Sequence, residues 1–381
     1  MSVPPTSDSR YSRQTLLPGV GASGQARLAR SRVLVIGMGG LGSPVSLYLA
    51  AAGVGTLGLA DHDRVESSNL HRQILHDEAA VGRPKVESAR ERLLGINPEL
   101  MMEIRPDGIT PENAESLIRE YDLVVDGTDN FPTRYLINDA AWLTGKPLVY
   151  GSIFQFEGQV SVFDPTSASP CYRCLFPHPP EPGTVPNCAE AGVFGSLCGI
   201  VGSWQASEAI KYLLGLGEPL TGRIKVIDTL SGRDQLVSLK KDASCPLCGE
   251  TPSITSIQSG AYSDTCLVES AEPGALPLEI SLEEAAEKLR GPSPPLLLDV
   301  REDYERQICV LGEGLHIPTG EIQFKWEALP RDRHLVIYCH HGMRSLFVAR
   351  FLHEKGFHTV QSLHGGVDGW ARTVDPALPR Y

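Results

Sequence analysis

The sequence predicts an α/β protein made of two domains, each built on a mostly parallel sheet, and three observations predict it. Ser31–Asp63 reads strand, glycine turn, helix, strand, and this alternation continues to about residue 217. Residues 251–275 are rich in Ser, Thr, Pro and Gly and have little hydrophobic periodicity, which is typical of a linker. A second strand–helix alternation follows. We therefore expect a first domain over 1–250, a linker over 251–275 and a smaller domain over 276–381.

Composition restricts the class of protein. Hydrophobic residues make up 41 % and charged residues 21 % of the 381 positions, which is typical of a globular protein. The net charge of −12 argues against sequence-independent binding of nucleic acid. No apolar run is long enough to span a bilayer, and the first ten residues do not resemble a secretory signal, so we expect a cytoplasmic location. The nine cysteines then favour metal or thiol chemistry over disulfides.

A glycine motif opens the first domain. Gly37, Gly39 and Gly42 form a G-x-G-x-x-G pattern directly after a strand and before a helix, where backbone N–H groups can approach phosphates. Asp61 ends the next strand and can accept hydrogen bonds from ribose hydroxyls. The motif predicts a Rossmann-like nucleotide fold, and by itself it fits a nicotinamide cofactor, a flavin or ATP.

The residues that follow distinguish between these nucleotides. Arg72 and Lys85 supply two cations to one region, and Asp129 and Asn130 come directly after another predicted strand. Cations and a carboxylate at the carboxyl edge of a sheet suit a triphosphate with Mg²⁺, whereas hydride transfer requires no such set. The sequence therefore favours ATP, with Asp129 as the magnesium ligand.

Four cysteines occur as two C-x-x-C pairs, Cys171 with Cys174 and Cys245 with Cys248. Two such pairs are the usual way to build a closed tetrahedral thiolate site, and Zn²⁺ is the metal that prefers it. The wide spacing predicts a structural zinc site that joins the end of the first domain to its middle. Of the other cysteines, Cys188 lies in a Pro-rich loop and is a candidate nucleophile, while Cys198 lies in an apolar helix and is predicted to be a core residue.

The second domain contains "YCHHGMRS", in which Cys339 and Arg344 stand at the two ends of a short loop. Such a loop directs backbone N–H groups inward, which lowers the pKa of a thiol and can hold a persulfide. A phosphatase loop has the spacing C-x5-R, and this loop has C-x4-R, so its cradle suits a sulfur atom better than a phosphate. His340 and His341 are predicted to shape the loop or contact a partner rather than to act as bases.

Together these motifs resemble a known family. "RYSRQ", "GMGGLG", "GRPKVESA", "TDNFPTRYLIND", "CYRCLFP" and "CAEAGVFG" resemble the adenylyltransferases of the ubiquitin-activating-enzyme superfamily that act on sulfur-carrier proteins, the molybdopterin-synthase and thiamine-type activators. Residues from about 276 resemble a single rhodanese domain, through "LLLDVRE", "HIPTGEI", "YCHHGMRS" and "LHGGVDGW". Adenylyltransferase, linker and rhodanese domain in this order are a known architecture of such activators.

The resemblance implies roles for individual residues. It implies structural zinc, magnesium at Asp129, a homodimer in which Arg13 reaches into the partner's site, and a covalent link between Cys188 and the carboxyl end of the carrier. It also implies a set of ATP contacts, namely Gly40, Asp61, Ser68, Asn69, Leu70, His71, Arg72, Lys85, Asp129 and Asn130.

The expected function follows from both resemblances. ATP adenylates the Gly-Gly carboxylate of a ubiquitin-like carrier, and Cys339, loaded as a persulfide by a donor such as a cysteine desulfurase, delivers sulfur to give a thiocarboxylate. We expect no membrane and no direct nucleic-acid partner. Three alternatives stay open at this point: a nicotinamide-dependent oxidoreductase, an activator for ubiquitin-like conjugation that depends on Cys188 alone, and a non-catalytic scaffold.

Overall fold

The structure, a computed structural model, describes residues 10–179, 192–262 and 276–381. The chain forms two compact units, the first containing residues 10–179 and 192–262 and the second containing residues 276–381. Among the described residues, no helix combines the length and the apolar character needed to cross a bilayer.

In the first unit, the described residues form one sheet of eight strands in the order β3-β2-β1-β4-β5-β6-β7-β8. Strands β1 to β5 are parallel and β6 to β8 antiparallel. The chain order reverses beside β1, and in such sheets a ligand binds outside the carboxyl ends of the strands at this point. The strands are β1 Arg32–Ile36, β2 Thr56–Ala60, β3 Met101–Arg105, β4 Leu123–Asp126, β5 Leu148–Phe154, β6 Glu157–Phe163, β7 Arg223–Asp228 and β8 Arg233–Ser238.

Helices cover both faces of this sheet. In β1, Val33 and Val35 belong to the core on one face, and Leu34 and Ile36 belong to the core on the other. A strand buried on both faces reads as an uninterrupted apolar run, as this one does. The helices are α1 Ser12–Thr15, α2 Gly21–Leu28, α3 Gly42–Ala52, α4 Lys85–Ile96, α5 Ala114–Arg119, α6 Phe131–Leu143, α7 Tyr172–Leu175 and α8 Gly195–Leu214, with short 3₁₀ turns at Ser67–Asn69, Glu78–Ala80 and Ser259–Tyr262.

The second unit holds a parallel sheet of five strands in the order β11-β10-β12-β13-β9 among its described residues. Strand β12 is central and fully buried, and Cys339 is the first residue after it. The strands are β9 Glu279–Ile280, β10 Leu296–Asp299, β11 Gly314–His316, β12 Leu335–Tyr338 and β13 Val360–Leu363. The helices are α9 Leu282–Arg290, α10 Asp303–Ile308, α11 Ile322–Lys325, α12 Met343–Glu354 and α13 Gly366–Thr373, with 3₁₀ turns at Thr319–Glu321 and Trp326–Ala328.

The predicted fold class is confirmed: a mostly parallel, Rossmann-like sheet precedes a smaller α/β unit. The predicted linker starts at residue 251, and its first part lies against the first unit. Ile257 and Tyr262 pack on the core of that unit, and the Tyr262 hydroxyl donates a 2.8 Å hydrogen bond to the buried carboxylate of Asp139.

Candidate functional site

The glycine motif forms a tight loop between β1 and α3. Gly37 has φ +89°, in the left-handed region that favours glycine, and a Cβ there would lie 2.7 Å from the carbonyl oxygen of Gly127. A Cβ on Gly42 would lie 1.8 Å from the carbonyl oxygen of Gly37. Side chains at these two positions would therefore force the loop open. The loop lies at the carboxyl ends of β1 and β4, where the sheet topology predicts a ligand.

Asp61 holds this loop in place. The Met38 N–H donates to Asp61 Oδ2 at 2.6 Å, and the Asp63 N–H donates to Asp61 Oδ1 at 2.8 Å. Asp61 is buried directly after β2. Asp61, which we predicted to bind the ribose, therefore also orders the glycine loop. Each of its carboxylate oxygens keeps a further lone pair that can accept a hydrogen bond from a ribose hydroxyl.

His76 holds the same loop from the other side, and sequence reasoning missed it. Its Nε2 lies 2.9 Å from the carbonyl oxygen of Met38, and its Nδ1 lies 2.9 Å from Ser88 Oγ on α4. A carbonyl only accepts, so Nε2 carries the hydrogen and donates it, and Nδ1 accepts from the Ser88 hydroxyl. Burial lowers the pKa of His76, which favours this neutral form. In the sequence, His76 follows the apolar pair Ile74 and Leu75 and looks like an ordinary core residue.

Replacing His76 by phenylalanine is expected to weaken ATP binding more than it slows chemistry. The peptide between Met38 and Gly39 is planar and trans, so fixing the Met38 carbonyl on His76 also fixes the direction of the Gly39 N–H. Losing that bond should raise the KM for ATP about tenfold while kcat falls less. Steady-state adenylation kinetics measure this, with Ser88→Ala as the milder control. Unchanged ATP kinetics in His76→Phe would contradict this role.

The predicted cations lie on neighbouring elements. Lys85, at the start of α4, is buried and its Nζ donates to Asp63 Oδ2 at 2.7 Å. Arg72 Nη2 donates to Asn69 Oδ1 at 2.8 Å, and Arg72 Nη1 lies 2.8 Å from His71 Nε2. Burial, and then the charge of Arg72, lower the pKa of His71, so His71 is a neutral partner for that guanidinium. Both cations are thereby oriented by polar partners.

The turn that carries Arg72 is ordered by further hydrogen bonds. The Ser68 hydroxyl and the Asn69 amide donate to the same oxygen of Glu66, at 3.4 and 3.5 Å, and the predicted contact Leu70 follows them in this turn. The Cδ of Arg72 lies 3.7 Å from where a Cβ on Gly40 would be. The structure therefore places the Arg72 side chain beside the glycine loop.

Asp129 and Asn130 lie between β4 and α6. Asp129 is exposed, and Asn130 is the N-cap of α6, its side chain accepting from the Thr133 N–H at 3.0 Å. Asn130 therefore has a structural role of its own. A buried pair supports this segment, in which Arg134 donates to Asp126 at 3.4 Å and to the Thr128 carbonyl at 3.1 Å.

The residues around the glycine loop fit ATP. A Cβ at Gly40 would lie 2.8 Å from Cys198 Sγ, so a side chain does not fit there. This part of the glycine loop therefore offers its backbone to a ligand. Gln73 is 4 % exposed and lies beside Gly39, and its Oε1 is a buried oxygen without a hydrogen-bond partner among the described residues. An unpartnered buried acceptor beside such a loop is the kind of group that a ligand hydroxyl or a water satisfies. Cys198 is buried, as predicted.

The four predicted zinc ligands come together. Their sulfur atoms all lie within 4.8 Å of one another, with Cys171 and Cys245 at 3.6 Å and Cys174 and Cys248 at 3.3 Å. Four thiolates around a tetrahedral Zn²⁺ lie at about this spacing, so the donor set fits the metal. Hydrogen bonding from Cys171 lowers the pKa of the Cys174 thiol, which supplies one ligand already as thiolate.

The first cysteine pair is anchored independently of any metal. Arg173, between the two cysteines, makes a bidentate ion pair with the fully buried Asp139 on α6, its Nη2 at 2.6 Å from Oδ2. The Tyr172 N–H donates to Asn138 Oδ1 at 3.0 Å. The second pair, Cys245 and Cys248, lies in a loop after β8, and the cluster joins it to α7.

Replacing Cys245 by serine is expected to destabilise the first unit. Cys245 is 1 % exposed, and loss of one of four thiolates removes most of the free energy of metal binding, which contributes directly to folding. We expect the melting temperature of the first transition to fall by roughly ten degrees, since a few kcal/mol shift a unit of this size by that amount. A chelator should do the same to the wild-type protein and little to Cys245→Ser. An unchanged melting temperature in both experiments would exclude a structural metal.

The loop that the sequence singled out in the second unit begins at the buried Cys339. Gly342 has φ +97°, and its N–H donates to Cys339 Sγ at 3.1 Å. The Ser345 hydroxyl lies 3.6 Å from the same sulfur. The loop therefore has the N–H donor at the thiol that the sequence predicted.

Arg344 is paired with a buried carboxylate. Its Nη1 and Nη2 each donate at 2.7 Å to the two carboxylate oxygens of Glu305 on α10, and both side chains are buried. The Arg344 pair lowers the pKa of Glu305 although burial opposes it, so the carboxylate is ionised. Glu305 was not predicted as a site residue, because a contact across 39 positions leaves no local signal in the sequence.

The structure does not bring two of the predicted catalytic residues, Cys188 and Arg13, together with the other site residues. Cys188 lies outside the described residues. Arg13 lies on α1 and is exposed.

Comparisons with known proteins agree with this geometry. The ThiF family matches residues 11–247 and the rhodanese-like domain matches residues 281–373. The probable adenylyltransferase/sulfurtransferase MoeZ of Mycobacterium tuberculosis is 43 % identical over 98 % of this chain and 95 % of its own length. The adenylyltransferase and sulfurtransferase MOCS3-1 of Zea mays is 41 % identical over 98 % of this chain and 83 % of its own. The sulfur carrier protein adenylyltransferase of Thermus thermophilus is 55 % identical over 64 % of this chain and 91 % of its own.

Solved structures share the fold of the first unit. Escherichia coli MccB bound to MccA-N7isoASN has a TM-score of 0.56 and 22 % identity over 65 % of this chain and 76 % of its own. PaaA has a TM-score of 0.52 and 24 % identity over 64 % and 77 %. The site geometry and the similarity of whole chains lead to one assignment. The chain belongs to the ThiF family, carries a rhodanese-like domain after the ThiF domain, and is an adenylyltransferase and sulfurtransferase.

Proposed function

We propose that the chain uses ATP to adenylate the C-terminal Gly-Gly carboxylate of a small ubiquitin-like sulfur-carrier protein. A persulfide on Cys339 then converts the adenylate to a thiocarboxylate. The observation that carries the proposal is the combination in one chain of a nucleotide crevice with a buried thiol held by a backbone N–H. The adenylate supplies a leaving group that a free carboxylate lacks, and the persulfide supplies the nucleophile.

In the first step, a carboxylate oxygen of the carrier attacks the α-phosphorus of ATP, and the bond to pyrophosphate breaks. The glycine-loop N–H groups, Arg72 and Lys85 would bind the phosphates and stabilise the charge that develops on them. Asp61 would orient the ribose. Mg²⁺ would be held by Asp129 and would supply further neutralisation of phosphate charge.

In the second step, the outer sulfur of the Cys339 persulfide attacks the carbonyl carbon and AMP leaves. The product is an acyl disulfide between the carrier and Cys339. Cleavage of its S–S bond by a thiol releases the thiocarboxylate. We assign Cys188 to the transient covalent intermediate, either as an acyl-enzyme or as the disulfide formed in this cleavage. An external dithiol would then reduce this disulfide and free the Cys339 thiol, and a sulfur donor such as a cysteine desulfurase would reload it as a persulfide.

We further propose that two copies of the chain pair. Helices α3 and α8 leave a concavity of about 820 Å³ with apolar side chains on the surface, among them Tyr48, Ile74, Ile200 and Trp204, of which the first two are 56 % exposed. Large exposed apolar patches are typical of interfaces. In this pair, the exposed Arg13 of each copy would serve the nucleotide site of its partner. Trp204→Glu should give monomers in sedimentation, whereas the surface change Leu230→Glu should not.

Pyrophosphate exchange tests the proposed carboxylate acceptor. We expect exchange of labelled pyrophosphate into ATP only in the presence of a carrier that ends in Gly-Gly, and loss of exchange when its last glycine is removed. Exchange that is the same without any carrier would contradict the proposal, and so would bound nicotinamide cofactor in the purified protein.

A further inference from the structure

The Tyr381 side chain contacts His340, the residue after the thiol, and Glu305, the carboxylate partner of Arg344. Its ring stacks on the His340 ring with centroids 4.2 Å apart and planes at 18°. Its hydroxyl lies 3.3 Å from Glu305 Oε1, the oxygen that also accepts from Arg344 Nη2 at 2.7 Å. A single side chain therefore touches the residue after the thiol and the carboxylate that orients the arginine.

Tyr381 is itself held by a buried charged group. Arg301 Nη1 donates to the Tyr381 hydroxyl at 2.8 Å, and Arg301 is 0 % exposed and paired with Asp299 at the end of β10. The phenol accepts from Arg301 and donates to Glu305, which uses both of its hydrogen-bonding functions. The ring position is thus fixed relative to the sheet that carries Cys339.

Backbone hydrogen bonds from α13 also hold the start of the loop. The Val367 N–H donates to the Cys339 carbonyl at 2.9 Å, and the Asp368 N–H donates to the His340 carbonyl at 3.0 Å. The His340 ring is stacked between the rings of Tyr381 and His341. The centroids of the His340 and His341 rings lie 4.0 Å apart. His340 is 6 % exposed, so the stack is packed rather than solvated.

We propose that Tyr381 is a positioning residue for sulfur transfer, and the proposal rests on the proposed function of Cys339. Through His340 and Glu305, Tyr381 holds the curvature of the loop, and that curvature keeps the Gly342 N–H on Cys339 Sγ. Tyr381 itself makes no bond to the reacting sulfur. Loss of its contacts lets the loop relax, and the thiolate loses the N–H donor that stabilises its charge.

The charged and titratable side chains next to the loop are those of His340, His341, Asp368, Glu305 and Arg344. Burial lowers the pKa of His340 to about 4, so His340 is neutral at physiological pH. His341 lies 3.9 Å from Asp368, and the Glu305 and Arg344 charges compensate each other. Tyr381→Phe keeps the ring that stacks on His340, so a shift in the reactivity of Cys339 in that variant reports on the loop N–H donors rather than on a newly exposed imidazole.

The test compares full-length Tyr381→Phe and Tyr381→Leu with Phe324→Leu, a control at a side chain of the same unit that is 79 % exposed. The rate of alkylation of Cys339 by iodoacetamide is followed against pH by mass spectrometry of its peptide, because a change in access to the buried thiol scales the rate at every pH without moving the midpoint. We expect Tyr381→Leu to raise the midpoint by about one pH unit and to slow sulfur transfer about tenfold, with pyrophosphate exchange unchanged. Tyr381→Phe keeps the stack and should give an intermediate shift.

Wild-type alkylation midpoints in both Tyr381 variants would overturn the proposal. If Tyr381→Leu unfolds the second unit, Tyr381→Phe carries the test, since only a hydroxyl is removed. The alkylation experiment requires no carrier. A wild-type protein that fails to transfer sulfur would therefore refute the proposed function and leave the role of Tyr381 to be decided by the midpoints.

Discussion

Replacing Cys339 by alanine is expected to reduce sulfur transfer by at least about a thousandfold while adenylation continues at the wild-type rate. The thiol is the atom that we propose to carry the persulfide, and it belongs to the second unit, whereas the glycine loop and its cations belong to the first. Removing it leaves only background attack on the adenylate by free sulfide. Sulfur transfer to the carrier and pyrophosphate exchange are measured on the same preparation.

Two controls sharpen this prediction. Cys339→Ser keeps the polar group and the loop but cannot hold a persulfide, so it should be as inactive as the alanine variant. Cys309 is another buried thiol of the same unit, and Cys309→Ala should retain transfer. Loss of both adenylation and transfer in Cys339→Ala would show that the loop has been assigned wrongly. Full transfer in that variant would instead favour chemistry on Cys188 alone, as in an activator for conjugation.

The second large effect is expected at Asp129. Asp129→Asn keeps the shape of the exposed side chain and removes the charge that would hold Mg²⁺. Adenylation should fall by roughly a hundredfold to a thousandfold, because uncompensated phosphate charge raises the transition state by a few kcal/mol. Pyrophosphate exchange against Mg²⁺ concentration measures this. Alkylation of Cys339 should not change.

Asp107→Asn is the matched control, since Asp107 is also exposed in the first unit and lies on the other side of β4 in the sequence. It should keep full exchange. If Asp129→Asn also keeps full exchange at low Mg²⁺, another carboxylate holds the metal, and the buried Asp61 would be the next candidate.

Local sequence patterns were enough to predict the parts of the molecule in which function depends on the spacing of a few residues along the chain. The strand, glycine turn and helix around Gly37 follow from apolar periodicity and from positions where a Cβ does not fit. The four-cysteine cluster could be predicted across 74 positions because two C-x-x-C pairs in one chain are typical of a metal site. In these cases the sequence itself records the constraint.

The remaining contacts depend on tertiary packing and leave no such record. His76 looks like a core residue until its ring is seen between the Met38 carbonyl and Ser88. Arg344 was predicted from its spacing to Cys339 in the sequence, but the partner of its side chain is Glu305 on another helix. Asn130 was predicted as an ATP contact, and the structure also makes it a helix cap. Long-range partners of polar side chains are what a single sequence does not show.

The most direct test of the central claim is the mass of the carrier. The protein is incubated with ATP, Mg²⁺, a persulfide donor and a carrier ending in Gly-Gly, and the carrier is weighed intact. We predict a mass increase equal to the exchange of one oxygen for one sulfur, which is lost with Cys339→Ala. A carrier that keeps its mass, or that is recovered only as a conjugate to another protein, would contradict sulfur transfer as the function of this chain.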